Sequence, residues 1–236
     1  MNDPNTKLYD EVHSIMTKEL LTFFKKCCND FESEVPYNYF GNRGSVDIVQ
    51  YKTIDILHQP HSMLYIYELE SQIIRLEELV RKLKDRMEYF PEYFEKSRGI
   101  PKLGEVNLFI ILLNTASNWK VVNEYLVNLK SAFSRVYHTF PKDVMSKTKN
   151  PSDNNYFAQI QRASLVFFDP LRVRQFEVNE DNMNRDEILF NRIAAFQTIE
   201  SWHDSVEKIR DSLNSIKPVF NSASDFLAKY KRYINN

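Results

Sequence analysis

Glycine and cysteine are both scarce in this chain: four glycines and two cysteines in 236 residues. Cys27 and Cys28 are adjacent, so they seldom pair with each other, and no CxxC or Cys/His array exists. That excludes a disulfide framework and a zinc knuckle, and predicts a reducing, cytoplasmic setting. Charge of one sign is also missing. Lys and Arg number 31 against 32 Asp and Glu, so no global field draws the chain onto nucleic acid or an anionic membrane, and any phosphate contact must be local. The longest apolar run, VNLFIILL at 106–113, is far shorter than the roughly 20 residues that cross a bilayer. The N-terminal MNDPNTKLYDEVH lacks the basic and apolar regions of a signal peptide, so a soluble protein with no membrane partner is expected. There is no GxxxxGK[ST], no GxGxxG and no nucleophile elbow, which removes P-loop hydrolysis, dinucleotide binding and acyl transfer from consideration.

What is present is a core-forming composition, 43% hydrophobic with 17 Phe and 13 Tyr. The length suits one large domain, or a core of about 150 residues with an appendage. Leu8, Val12, Ile15, Met16, Leu20 and Phe23 form a helical stripe that predicts a first helix over 8–28, with Cys27 and Cys28 as small apolar fillers on its buried side. Residues 34–40, with aromatics and Pro36, suit an edge strand. A GNRG turn at 41–44 follows. Val46–Tyr51 and Leu64–Glu70 read as neighbouring strands joined by a loop containing His58, Pro60 and His61. A helix over 72–90 should end near Phe90 and Pro91, Leu108–Leu113 should be a strand buried on both faces, and 118–137 should be helical. After a polar loop at 141–157, Ser164–Phe168 is one more strand candidate. Ile188–Ile216 has a heptad-like rhythm, Pro218 stops it, and a last helix over 219–234 should fold back as a hairpin. The expected organisation is an α/β core over 1–175 and a C-terminal helical extension over 176–236. Its heptads leave open an intramolecular hairpin or a homodimer seam.

The chemistry concentrates in residues 41–70. Side chains alternate faces along a strand, so Glu68 and Glu70 must share one face. With Asp47 on an adjacent strand, three carboxylates can meet at a sheet end, which is how a hard cation such as Mg²⁺ (or Mn²⁺) is held to orient a water and neutralise charge on a phosphate. The competing reading pairs Asp47 with Arg43 and leaves both glutamates solvated. Helix 72–90 displays Arg75, Arg81, Lys82, Lys84 and Arg86, able to line a phosphate backbone, although interleaved acids equally describe a salt-bridged solvent face. His58 and His61 lack further ligands for a metal site of their own.

Arg43-Gly44-Ser45-Val46-Asp47, followed by an apolar strand carrying Glu68 and then a long helix, resembles the core of the PD-(D/E)xK nuclease superfamily. The resemblance extends through Leu108–Leu113 and Ser164–Phe168 and does not cover the C-terminal hairpin. It implies a restriction-endonuclease-like mixed central sheet flanked by helices, and Mg²⁺-dependent cleavage of DNA in restriction, defence or repair. Asp47, Glu68 and Glu70 would be the catalytic and metal-binding residues, Glu34 a further acid, and Arg43, Arg75 and Lys82 the contacts to DNA. The family pattern has a lysine two residues after the acid, where this chain has Glu70. That departure carries the alternative, a catalytically inactive nuclease-fold module that binds nucleic acid or a protein partner.

Overall fold

The structure, a computed structural model, describes residues 4–27, 30–39, 41–56, 58–72, 81–82, 85–124, 160–171, 194–198 and 218–235. Helix α1 (Pro4–Cys27) opens on a proline, whose missing N–H costs nothing at a helix start. It buries Val12, Met16, Leu20, Phe23 and Phe24 along one stripe. The side chains of Cys27 and Cys28 lie outside the described residues.

Strands β1 (Phe31–Tyr39), β2 (Asn42–Ile56) and β3 (Gln59–Glu70) form an antiparallel meander. Pro36 is tolerated because β1 is an edge of the sheet, where a missing N–H breaks no inner ladder. The GNRG segment is mostly strand rather than turn. Gly41 alone takes the left-handed backbone (φ 81°), and pairing resumes at Asn42, opposite Tyr39. The loop expected between β2 and β3 is likewise shorter than the pattern suggests: Ile56 already pairs with Gln59, and Pro60 and His61 belong to β3, paired with Asp55 and Ile54.

A π-helical turn (Asp85–Tyr89) and helix α2 (Phe90–Arg98) lead to β4 (Glu105–Leu113), which runs parallel to β3. The helix expected to stop at Phe90-Pro91 instead restarts there. Tyr89 is the N-cap and Pro91 sits in the first turn, the one helical place where proline removes no hydrogen bond. Helix α3 (Ala116–Glu124) follows, and the remainder of the helix expected to 137, with the loop at 141–157, lies outside the described residues. Strand β5 (Ile160–Phe168) is parallel to β4, and β6 (Ala194–Thr198) closes the far edge antiparallel to β5. The sheet is thus six-stranded and mixed, in sequential order β1 to β6.

Alternation along β4 divides the core into two layers. Val106, Leu108, Ile110 and Leu112 pack with Leu64, Ile66, Met87, Phe90 and Phe94 on the α2 side. Phe109, Ile111 and Leu113 pack with Tyr67, Leu69 and the α1 stripe on the other. With Tyr67 stacked on Phe109 at 5.1 Å between centroids, β4 is buried on both faces as its unbroken apolar run predicts.

The C-terminal expectation changes most. Residues 194–198 are strand, not part of a helix over 188–216, because a free edge of β5 offers this short Ala-Ala-Phe-Gln-Thr segment a ladder that outweighs local periodicity. The other residues of that helix lie outside the described residues. Helix α4 (Ala223–Ile234) packs on α1, with Phe226 and Tyr230 buried and the Tyr230 hydroxyl donating to the buried Glu19 at 2.5 Å. The segment expected as an extension beginning at 176 thus contributes to the sheet and to the core. The apolar face of α4 is filled from within the chain, while the heptad residues 202–216, for which the sequence leaves a homodimer seam open, lie outside the described residues. No helix among the described residues is long and apolar enough to cross a membrane.

Candidate functional site

Ladder irregularity on both neighbouring strands marks the place of Asp47. Val46 packs with the α2-side layer and Ile48 with the α1 side, so β2 switches faces at the residue between them. Opposite it, Glu34 has a positive φ of 52°, a strained backbone for a residue with a side chain. The β2–β3 ladder ends at the Ile48–Tyr67 pair, and the Asp47 carboxylate takes over as acceptor: Oδ2 receives the Leu69 N–H at 2.7 Å. Asp47 is therefore fastened to the peptide between Glu68 and Glu70. Its Oδ1 faces His13 Nε2 of α1 at 3.6 Å.

Glu68 and Glu70 share the α2 face of β3, as their spacing requires, but their surroundings differ. Glu68 is 2% exposed and is met by Arg86 from the π-helical turn, Nε donating to Oε1 at 2.5 Å and Nη2 lying 3.4 Å from Oε2. Arg86 is itself buried. Its Nη1 donates to the Tyr37 hydroxyl, its Nη2 to the Ser45 carbonyl at 2.7 Å, and its guanidinium lies 5.0 Å from the Tyr37 ring centroid. Gly44 makes room for that tyrosine, since a Cβ there would stand 2.8 Å from Tyr37 Cε1. Glu70 is half-buried and accepts from Lys82, whose Nζ also lies 3.9 Å from Glu68 Oε2. Lys82 thus bridges the two glutamates.

Burial pushes the Glu68 carboxyl up to about 7, against the opposing pull of Arg86. Burial works to lower the Lys82 value, but Glu70, then Glu68 and Asp47, outweigh it and hold the ammonium above the usual lysine range. The Asp47 carboxylate raises His13 above an ordinary histidine despite burial, with Glu70 adding to the effect.

The chain matches no protein-family model, no curated protein and no solved structure. What the site can do must therefore be argued from its own atoms.

Lys82 links Glu68 and Glu70 on one strand face, and Asp47 is tied to the same strand through the Leu69 N–H. Arg43 does not pair with Asp47; it is exposed on β2 opposite Asn38. Glu34 is exposed and lines a groove of about 280 Å³ with Tyr93, Phe94, Ser97 and Arg98 of α2. Arg75 lies outside the described residues. His58 sits exposed in the β2–β3 reversal, and His61 rests on Gly104 with Nε2 3.8 Å from Glu105 Oε2, about 23 Å along β3 from Glu68. Neither histidine belongs to the site.

Sequence reasoning missed His13, Arg86 as the partner of Glu68, and Tyr37. Nothing in α1 distinguishes His13 from any polar residue beside an apolar stripe. Gly44 next to a tyrosine-rich strand was the available signal for Tyr37.

Among the described residues, no three of His, Cys, Asp and Glu converge closely enough to hold an ion as they stand. The individual donors are carboxylate oxygens, the kind a hard cation takes. Glu68 Oε1 is anchored by Arg86, while Oε2 has only long contacts to Arg86 and Lys82, and Asp47 and Glu70 are both solvent-reachable.

Proposed function

We propose that this protein is a metal-dependent phosphodiesterase acting on DNA, built on a restriction-endonuclease-like α/β core and working in the cytoplasm. The observation that carries the reading is Lys82 on Glu70 and beside Glu68. The lysine absent from position 70 is supplied instead from the helical segment at 81–82, on the strand face where the two glutamates lie. An element order of helix, three antiparallel strands, helix and parallel strand supports the same family reading.

Asp47, Glu68 through Oε2, and Glu70 would hold the ion, Mg²⁺ or Mn²⁺, which supplies Lewis-acid polarisation of a phosphoryl oxygen and a lowered water pKa when bound. The remaining chemistry belongs to the chain. Lys82 carries a positive charge that Glu70 orients, and places an ammonium where negative charge on a phosphate builds. Arg86 holds Glu68 Oε1 closely at 2.5 Å and Oε2 more loosely at 3.4 Å, and the Leu69 N–H fixes Asp47 Oδ2. Arg43, exposed on β2, is proposed as a phosphate contact, and Arg75, which lies outside the described residues, as another.

Supercoiled plasmid incubated with the full chain should be nicked only with Mg²⁺ or Mn²⁺, and not by Asp47→Ala or Lys82→Ala. Cleavage that survives in Asp47→Ala overturns the assignment.

One observation favours a second reading. Both oxygens of Glu68 already face Arg86, and Lys82 neutralises Glu70, so the carboxylates have counter-charges without a metal. This supports a nuclease-fold module that binds nucleic acid or a protein partner without cutting. Calorimetry that detects no divalent-ion binding to the wild type would select it.

A further inference from the structure

The β1 edge of the sheet carries an unmatched charge beside a groove. Strand β1 reads FESEVPYNY, with two acids and no cation. An edge bearing carboxylates repels phosphate, so neither nucleic acid nor an anionic membrane suits it. On the facing helix, Tyr93 with Ser97 and Phe94 with Arg98 stand at i,i+4 spacing, so each pair shares one face of α2. These four and the two acids of β1, Glu32 and Glu34, line the groove of about 280 Å³. The chain itself shows what this lining takes. The Arg98 guanidinium lies 5.3 Å from the Phe94 ring centroid and donates to Glu32, so it is held by a carboxylate and an aromatic ring at once. Glu34 and Tyr93 are the same two parts without the cation: Glu34 is exposed with no counter-charge among the described residues, and the Tyr93 ring is half-buried. Main-chain pairing cannot supply the recognition here. Pro36 has no N–H and Glu34 takes a left-handed φ of 52°, so the run of edge amides is broken and a partner strand cannot add along β1. Glycine adopts such a φ without strain, yet a glutamate stands there.

We propose that this groove docks a protein partner through one arginine side chain, clasped by the Glu34 carboxylate and the Tyr93 ring. A guanidinium is planar, stacks on aromatic rings and pairs with a carboxylate through two N–H groups, whereas the lysine ammonium is a compact, strongly hydrated charge. At about 280 Å³ the groove lies below the roughly 300–1,000 Å³ typical of small-molecule clefts and suits one long side chain. Docking here needs neither the acids at the end of β3 nor any cleavage.

The full ¹⁵N-labelled chain is titrated with a capped Gly-Ser-Arg-Ser-Gly peptide and followed by amide NMR shifts. The same peptide with lysine or with uncharged citrulline in place of the arginine, and free arginine, serve as comparisons. The arginine peptide should shift the Ser33, Glu34 and Ser97 amides saturably and bind about three-fold or more tightly than the lysine peptide, with no response to the citrulline peptide. Glu34→Gln should weaken it about three- to five-fold, and Tyr93→Leu by a similar factor. Glu34→Gly should weaken it equally yet melt no lower than the wild type, because glycine relaxes the left-handed backbone. An acid kept only for the fold would not separate binding from stability in this way. No saturable shift, equal affinity for the citrulline peptide, or unchanged affinity in Glu34→Gln would each overturn the proposal. Free arginine that binds as tightly as the peptide would overturn the protein partner in favour of a diffusible ligand.

Discussion

Replacing Arg86 with methionine isolates the energetic core of the site. Methionine keeps most of the volume but leaves Glu68, 2% exposed, with no buried counter-charge. The folded variant then accommodates Glu68 only as the neutral acid. Holding it protonated against an unfolded value of 4.5 costs about 1.4 kcal/mol per pH unit above that value. In the wild type the same penalty accumulates only until Glu68 ionises within the fold, near its value of about 7. The sign follows: a raised folded pKa means that the folded state binds more protons between 4.5 and 7, so stability falls as pH rises through that window and then levels off. Without Arg86 the fall continues. Between pH 7 and 8.5 the variant should lose about 2 kcal/mol more than the wild type, in addition to a pH-independent loss of about 1 kcal/mol for each hydrogen bond to Tyr37 and Ser45. Urea unfolding followed by circular dichroism at pH 5.5, 7 and 8.5 measures both parts. Arg86→Met combined with Glu68→Gln should abolish this extra pH-dependent loss. Parallel stability curves for wild type and Arg86→Met across this range would refute the buried pair as described.

Gly44→Ala puts a Cβ 2.8 Å from the Tyr37 ring and should cost about 1–3 kcal/mol in thermal or urea unfolding; Tyr37→Leu in the same chain should make the alanine nearly harmless. His13 has a raised value, so its contribution to stability is full below about 6.5 and fades as pH climbs through the folded value; in chelator, His13→Ala should destabilise at pH 5.5 and have little effect at pH 9. Tyr230→Phe strips the buried Glu19 of a donor and should cost about 1–3 kcal/mol, with α4 amides losing hydrogen-exchange protection first, if that helix docks on α1 as described.

Where short-range pattern determined structure, the sequence was readable. The α1 stripe, the period-two spacing of Glu68 and Glu70 and the unbroken apolar run of β4 each reflect one element meeting one layer, and each lies where its pattern indicates. Pattern fails where pairing partners are distant. Residues 194–198 sit within a helical rhythm, yet the open edge of β5 takes them as strand. Pro91 looks like a stop signal because periodicity cannot show that a π-helical turn ends one residue before Phe90 and a new helix begins.

The candidate site was half legible for the same reason. The acids are visible because strand alternation and neighbouring strands are local facts, but their partners come from elsewhere: Arg86 and Lys82 from the connection between β3 and β4, His13 from a helix 34 residues before Asp47. Glu70 in place of lysine suggested a lost base. The geometry makes a different argument possible. Position 70 and position 82 exchange roles, the strand supplying the acid that orients an ammonium and the following helical segment supplying the ammonium itself. If that exchange is functional, Glu70→Ala and Lys82→Ala should impair plasmid cleavage to a similar extent, and the double variant should be little worse than either, because each residue acts through the other. Independent, multiplicative losses would mean that the contact is only a surface ion pair.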